Sequence, residues 1–261
     1  MGHAAEQKVA LEATGVRKNY AKDGRTLAVL DVERFQVREG EFVTLIGPSG
    51  CGKSTLLHIM GGFIPADAGS IRVYGSTVDG PGPDRGMMFQ EFALFPWKTV
   101  EGNVAWGLEA QGFRKGEIAD TVAAYLEMIG LTEFRNHYPA ELSGGMKQRV
   151  ALARVLAFNP KVLLMDEPFG ALDAQTRETM QEEVTSLWER TRKTIVFVTH
   201  DIEEAVFLGD RVVVLTARPG RILEEVKIEL PRPRSLEVKK SLQCHEYRNM
   251  IWDLIRSESR Q

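Results

Sequence analysis

Cysteine is scarce in this chain: Cys51 and Cys244 are the only two among 261 residues. Two cysteines make no disulfide framework, so free thiols in a reducing compartment are expected. Long apolar runs are missing too. No stretch of about 18 apolar residues occurs, and Met1-Gly2-His3-Ala4-Ala5-Glu6 lacks the apolar core of a signal peptide. Membrane association is therefore expected only through a protein partner. Basic charge is not in excess either, with a formal net charge of −3. That balance gives no general field for nucleic acid, and no nucleic-acid partner is expected. The remainder, 43% apolar and 26% charged, is ordinary for a soluble globular chain of one large domain or two modest ones.

Residues 47–54 read Gly-Pro-Ser-Gly-Cys-Gly-Lys-Ser. A strand-like run, Phe42–Ile46, precedes them, and the helical pattern Thr55-Leu56-Leu57-His58-Ile59-Met60 follows. Glycines let the backbone curl so that successive N–H groups face phosphate oxygens, and the helix N-terminus adds partial positive charge. Gly47, Pro48, Ser49, Gly50, Cys51, Gly52, Lys53, Ser54 and Thr55 are thus predicted to cradle a nucleoside triphosphate. Lys53 would reach the β- and γ-phosphates, and the Ser54 hydroxyl would ligate Mg²⁺. A helix N-terminus and an adjacent ammonium also favour thiolate. Cys51 is accordingly expected to be reactive unless its sulfur is packed away, and Cys244 to react freely in the tail.

Residues 8–46 alternate and then run apolar, which predicts strands leading into the phosphate loop. Ser70–Tyr74 and Met87–Phe89 predict two more. From about residue 92 to 158 strand signals fade, and helical spacing predicts helices over 115–131 and 146–158. Apolar runs return at 161–165, 194–198 and 211–215, alternating with helical stretches at 174–190 and 201–209. That alternation predicts a largely parallel sheet with helices on its faces. Leu230-Pro231-Arg232-Pro233-Arg234 ends the sheet pattern, and His245–Ile255 is amphipathic.

The run Val162-Leu163-Leu164-Met165-Asp166-Glu167-Pro168 ends in two carboxylates at the predicted ligand edge of the sheet. Asp166 is suited to Mg²⁺, and Glu167 to polarising an attacking water. Leu142-Ser143-Gly144-Gly145-Met146 offers a second anion site, with Ser143 as helix N-cap and two glycines leaving amides bare. One triphosphate has little use for both sites in one chain. Two chains arranged head to tail can use both.

These motifs, with Ala171-Leu172-Asp173-Ala174, Gln90 and His200, occur in the order and spacing of one family. Over about residues 8–225 the chain resembles the ATP-binding subunits of ATP-binding-cassette transporters. The resemblance implies an α/β fold: a RecA-like P-loop NTPase core with an antiparallel β subdomain and an inserted α-helical subdomain. It divides the chain into core (1–91), helical subdomain (92–158), core (159–228) and C-terminal tail (229–261). ATP and Mg²⁺ are the implied cofactors, bound in a homodimer that sandwiches ATP. Gln90 would serve Mg²⁺ and the attacking water, Glu167 would be general base, and His200 would hold the γ-phosphate beside Lys53. Ser143, Gly144 and Gly145 would cap the partner's nucleotide, Asp173 would face the other subunit, and Tyr20 would stack on adenine. Met146 departs from the family's commonest signature, which has Gln there.

Phe89–Trp97, Pro168–Ala174 and Ala217–Ile222 resemble the nitrate/sulfonate/taurine importer group. That resemblance implies permease subunits docking near Gln90 to Trp97, an external solute-binding protein, and a peripheral location on the cytoplasmic face of the inner membrane. The competing function is a soluble ATPase of the same superfamily acting on nucleic acid or in translation. Such chains carry long insertions or two cassettes, whereas one cassette with a short insertion is present here. His58 and His137 are expected to be structural or surface residues, and Arg232, Arg234, Lys239 and Lys240 a solvated surface.

Overall fold

The structure is a computed structural model that describes residues 8–22 and 24–258. Alternating residues from Val9 to Arg38 fold as one long hairpin, β1 (Val9–Lys22) against β2 (Arg25–Arg38), antiparallel with two register shifts. Two shorter strands, β4 (Ala68–Val73) and β5 (Ser76–Thr77), complete a four-stranded sheet of order β2-β1-β4-β5. Its inward side chains, among them Leu11, Val16, Phe35 and Val37, are buried against the rest of the core.

The second sheet contains the wholly buried runs β3 (Phe42–Ile46), β7 (Val162–Asp166) and β8 (Thr194–Val198). With β6 (Arg85–Met88), β9 (Arg211–Leu215) and β10 (Ile222–Lys227) its order is β10-β9-β3-β8-β7-β6. Every pairing is parallel except β10 with β9. Strands buried on both faces need covering helices, and α1 (Lys53–Gly61), α5 (Ala174–Thr191) and α6 (Ile202–Leu208) supply them. Strand β10 has no counterpart in the predicted elements. Only Val226 of its six residues is buried, and the adjacent pair Glu224-Glu225 breaks the apolar alternation of this edge strand.

Between β6 and β7 the described residues form helices and loops only: α2 (Val100–Ala110), α3 (Lys115–Met128) and α4 (Gly144–Ala157) around their own apolar cluster. Helix α3 stops at Met128, three residues short of the expected end, and Gly130 follows with φ +67°. Helix α4 starts two residues earlier than expected because Ser143 accepts a hydrogen bond from Met146 N at 3.3 Å. Helix α2 went unpredicted. Two glycines interrupt its pattern, and Gly107 is there because a Cβ would come within 2.8 Å of Phe158.

Past β10 the chain folds back as α7 (Leu242–Glu258), burying Cys244 and Ile251 against α6 and β9. The expectation of a solvated basic surface fails here for all but Lys240. Arg232 is held by Asp210 and Leu208 O, and Lys239 by Gln181 and Glu203. Arg234 is only 4% exposed. Its Nη1 donates to the carbonyls of Val206, Phe207 and Gly209 at 3.1, 2.9 and 2.8 Å. These are carbonyls left open at the end of α6, where a cation also suits the helix dipole. Burial pushes the guanidinium pKa down to about 10. Proline-spaced arginines read as surface in a sequence; the carbonyl sink that draws Arg234 inward exists only once α6 is in place. Replacing Arg234 with Ala leaves those carbonyls unpaired and should cost about 2–4 kcal/mol. Urea unfolding of the two proteins measures that difference.

Candidate active site

Residues 47–52 turn from the end of β3 into α1 with left-handed backbone at Gly50 and Gly52, at φ +74° and +102°. A Cβ on Gly52 would also sit 2.6 Å from the Leu30 side chain, so only glycine fits. No side chain caps α1, and its first turn carries no acidic residue. Its leading amides are thus left for a ligand. Lys53 is buried, and its ammonium donates to the carbonyls of Gly47 and Pro48 at 2.9 and 3.1 Å.

Asp166 closes β7, and its Oδ1 accepts a hydrogen bond from Ser54 Oγ at 2.8 Å. This pair places a hydroxyl and a carboxylate at one point beside the phosphate loop. Oxygen donors of this kind fit Mg²⁺, which takes one or two protein ligands and leaves its other positions to phosphate and water. Gln90 lies just past β6 and is exposed.

Glu167 follows Asp166 in a left-handed conformation, φ +41°, which costs a non-glycine residue on the order of 1 kcal/mol or more. Its amide donates to Val198 O at 3.0 Å, which pins that conformation to the neighbouring strand. Glu167 Oε2 meets His200 Nδ1 at 3.0 Å, with the His200 side chain 64% exposed. Gln90 Nε2 and Glu167 Oε2 lie 3.8 and 4.0 Å from the point where a Gly170 Cβ would stand. Glycine at 170 leaves that space open between an amide and a carboxylate. Asp201, beyond His200, caps α6 by accepting from Glu204 N at 3.1 Å.

The remaining predicted residues lie elsewhere. Ser143 and Gly144 are exposed at the start of α4, and Gly145 abuts Thr176 on α5. Among the described residues no hydrogen bond or ion pair joins Ser143 to Lys53, Ser54, Asp166 or Glu167. Asp173 caps α5, accepting from Thr176 Oγ1 at 2.7 Å and Thr176 N at 3.0 Å, and those bonds hold its carboxyl below the usual range. Met146 points into the helical cluster and offers no polar group. Tyr20 is part-exposed on β1, with Lys18 Nζ 5.6 Å from its ring centre.

His58, expected to be a structural or surface residue, stands beside Asp166. Its Nε2 lies 3.2 Å from Asp166 Oδ2, off the line of a hydrogen bond, and its ring meets Phe89 edge-on. The available signal was the i,i+4 spacing from Ser54, which puts both side chains on the α1 face towards β7.

Both thiol expectations are corrected. Cys51 and Cys244 are each 1% exposed. Burial pushes both thiols upward in pKa, and at Cys51 it outweighs the opposing pull of Lys53. The helix N-terminus favours thiolate only where the sulfur can meet water or a reagent. Iodoacetamide at pH 7.5 should therefore label neither thiol in the native protein and both after denaturation, as read by mass spectrometry.

A phosphate cradle on the ligand edge of a parallel sheet, with a hydroxyl–carboxylate pair and a second carboxylate beyond it, defines a P-loop nucleoside triphosphatase. The model of the ABC transporter family matches residues 30–170. The chain is 47% identical to the nitrate import ATP-binding protein NrtD of Synechocystis sp., covering 94% of this chain and 95% of that one. It is 50% identical to the taurine import ATP-binding protein TauB of Rhizobium johnstonii, covering 81% of each. A dimeric ATP-binding cassette solved in a post-hydrolysis state with ADP and Pi superposes with a TM-score of 0.74 at 33% identity, over 85% of this chain and 100% of that one. The chain belongs to the ABC transporter family. It is an ATP-binding, ATP-hydrolysing subunit built on a RecA-like core with an antiparallel β subdomain and an α-helical insertion.

Proposed function

We propose that this chain energises import of a small solute of the nitrate, sulfonate and taurine class through separate permease subunits. It works as a homodimer on the cytoplasmic face of the inner membrane, with an external solute-binding protein delivering cargo. The observation that carries the catalytic reading is the Ser54–Asp166 hydrogen bond, with Glu167 adjoining it in a pinned left-handed backbone. The importer reading rests on the similarity to NrtD and TauB. No described helix is long and apolar enough to cross a membrane.

Lys53 would exchange the Gly47 and Pro48 carbonyls for the phosphates of ATP, and the uncapped amides at the start of α1 would add further donors. Mg²⁺, held by Ser54 and Asp166 with Gln90 near, would neutralise charge on the β- and γ-oxygens. Gln90 orients water, Glu167 takes its proton as the oxygen bonds to the γ-phosphorus, and ADP leaves. His200 swings from Glu167 to the γ-phosphate, freeing the carboxylate. Ser143, Gly144 and Gly145 of the other subunit supply donors from the far side. Their separation from Lys53 within one chain supports that sharing, and Tyr20 covers the adenine.

Phe95 and Trp97 form the permease contact. Trp97 is 72% exposed, its ring tilted against Phe95 at 5.7 Å between centroids, and Phe95 in turn meets Trp106 at 5.0 Å. An exposed aromatic cluster marks a protein interface. This loop is rigid without regular structure. Buried Asn103 bonds Phe95 N and the carbonyls of Phe95, Lys98 and Thr99, while Arg154 holds the carbonyls of Phe92 and Ala93.

Glu167→Gln should keep ATP binding and lower turnover by about 10²-fold or more. Titration and phosphate release separate the two effects, and near-normal hydrolysis removes Glu167 from the base role. Trp97→Ser should weaken co-purification with the permease while the isolated chain keeps its basal ATPase rate. Uptake of labelled taurine, an alkanesulfonate and nitrate by a deletion strain tests the cargo class, and undiminished uptake of all three rejects it.

A further inference from the structure

The turn between β9 and β10, Ala217-Arg218-Pro219-Gly220-Arg221, is bound on both sides. Towards the phosphate loop, Arg218 sets Nε and Nη2 on one acceptor, Gly50 O, at 3.0 and 2.9 Å. Buried Gly220 packs so closely on the Cys51 carbonyl that a Cβ would collide with its oxygen. Towards the antiparallel sheet, Gly220 N donates to Val29 O at 2.8 Å and Asp31 N donates to Gly220 O at 3.1 Å. The Arg221 guanidinium grips Asp31 Oδ2 at 3.0 and 2.9 Å. Thr216 Oγ1 closes the turn, accepting from Arg221 N at 2.9 Å and donating to Pro219 O at 2.9 Å.

A trans peptide points its C=O and N–H in opposite directions. With the Gly50 carbonyl held by Arg218 and the Cys51 carbonyl packed against Gly220, the amides of Cys51 and Gly52 point away from this turn. Cys51 N–H indeed points to Pro48 O, at 3.3 Å, the same oxygen that Lys53 Nζ holds at 3.1 Å. The Cys51 amide and the Lys53 ammonium thus share one acceptor within the loop. A charged donor on a carbonyl also polarises its peptide, making the attached N–H a stronger donor.

We propose that Arg218 and Gly220 are positioning residues for ATP: they aim and strengthen the phosphate-loop amides and tie the loop to the antiparallel sheet through Asp31 and Val29. The proposal rests on the phosphate loop holding ATP. Neither residue touches the reacting atoms, so the effect belongs in nucleotide affinity rather than in the chemical step. Loss of one charge-assisted contact predicts a Kd and KM for ATP raised about tenfold in Arg218→Ala, with kcat within about twofold of wild type. Arg218→Lys should recover part of the affinity, since an ammonium gives one point contact in place of a fork. Gly220→Ala, which displaces the Cys51 carbonyl, should weaken binding at least as much.

Mg-ATP titration calorimetry, steady-state hydrolysis and thermal melting with and without Mg-ATP make the test. The expected result is a nucleotide-free Tm near wild type and a smaller ATP-induced rise in Tm for Arg218→Ala. Unchanged Kd and KM in that variant overturn the proposal, as does a lower nucleotide-free Tm with an undiminished ATP-induced rise, which a merely structural brace would give. Should Gly220→Ala fail to fold, the Arg218 pair alone decides. Wild-type protein that binds no ATP in the same titration would overturn the nucleotide reading itself, a failure distinct from a wild-type-like Arg218→Ala.

Discussion

Parallel pairing of β3 with β8 and β9, and of β7 with β8 and β6, governs the rest of the molecule. Leu45 pairs with Val198, Val198 with Asp166, and Met165 with Met88, so the strands end almost level. The chain beyond each end carries one part of the proposed site: the phosphate loop after β3, Gln90 after β6, Glu167 after β7, and His200 after β8. Those segments are far apart in sequence. The ladder makes them neighbours, and the wholly buried strands hold that edge rigid.

At this edge charge is held against provisional partners. Lys53 rests on two backbone carbonyls, Ser54 on Asp166, and His200 on Glu167. Each group has a hydrogen bond, so none of these charges is left bare, and under the proposed function each bond would be exchanged for one to phosphate, metal or water. The exchange costs little where the replacement is also charge-assisted. Glu167 is different, because its position is set by backbone: the bond to Val198 O holds it in place independently of the partner its side chain takes.

Two further regions are ordered by buried polar side chains in place of regular secondary structure. Asn103 spends its amide on the loop that displays Phe95 and Trp97, and Arg234 spends its guanidinium on the end of α6. In both cases a side chain satisfies several backbone groups that helices and strands leave open. The segment after β10 is thereby part of the core's packing, with Cys244 and Ile251 in the same apolar cluster as Ile46 and Val214.

The sequence by itself determined what depends on neighbours a few residues away. Buried apolar runs fixed β3, β7, β8 and β9. The glycine-lysine-serine segment fixed the loop and α1, and helical spacing marked α4, α5 and α6, with Ser143 legible as the cap of α4. Tertiary structure alone decided the environment of individual side chains. Cys51 reads as an activated thiol at a helix N-terminus, yet the packing of Gly47 and the Ala217–Arg221 turn around the loop leaves it in the interior. Arg234 reads as surface charge until α6 presents its carbonyls, and His58 as a plain helix residue until β7 brings Asp166 beside it. Edge strand β10 was invisible because one face of it meets water. Local pattern specifies backbone conformation, but burial and partners are set by segments tens to hundreds of residues away, which no window of sequence contains.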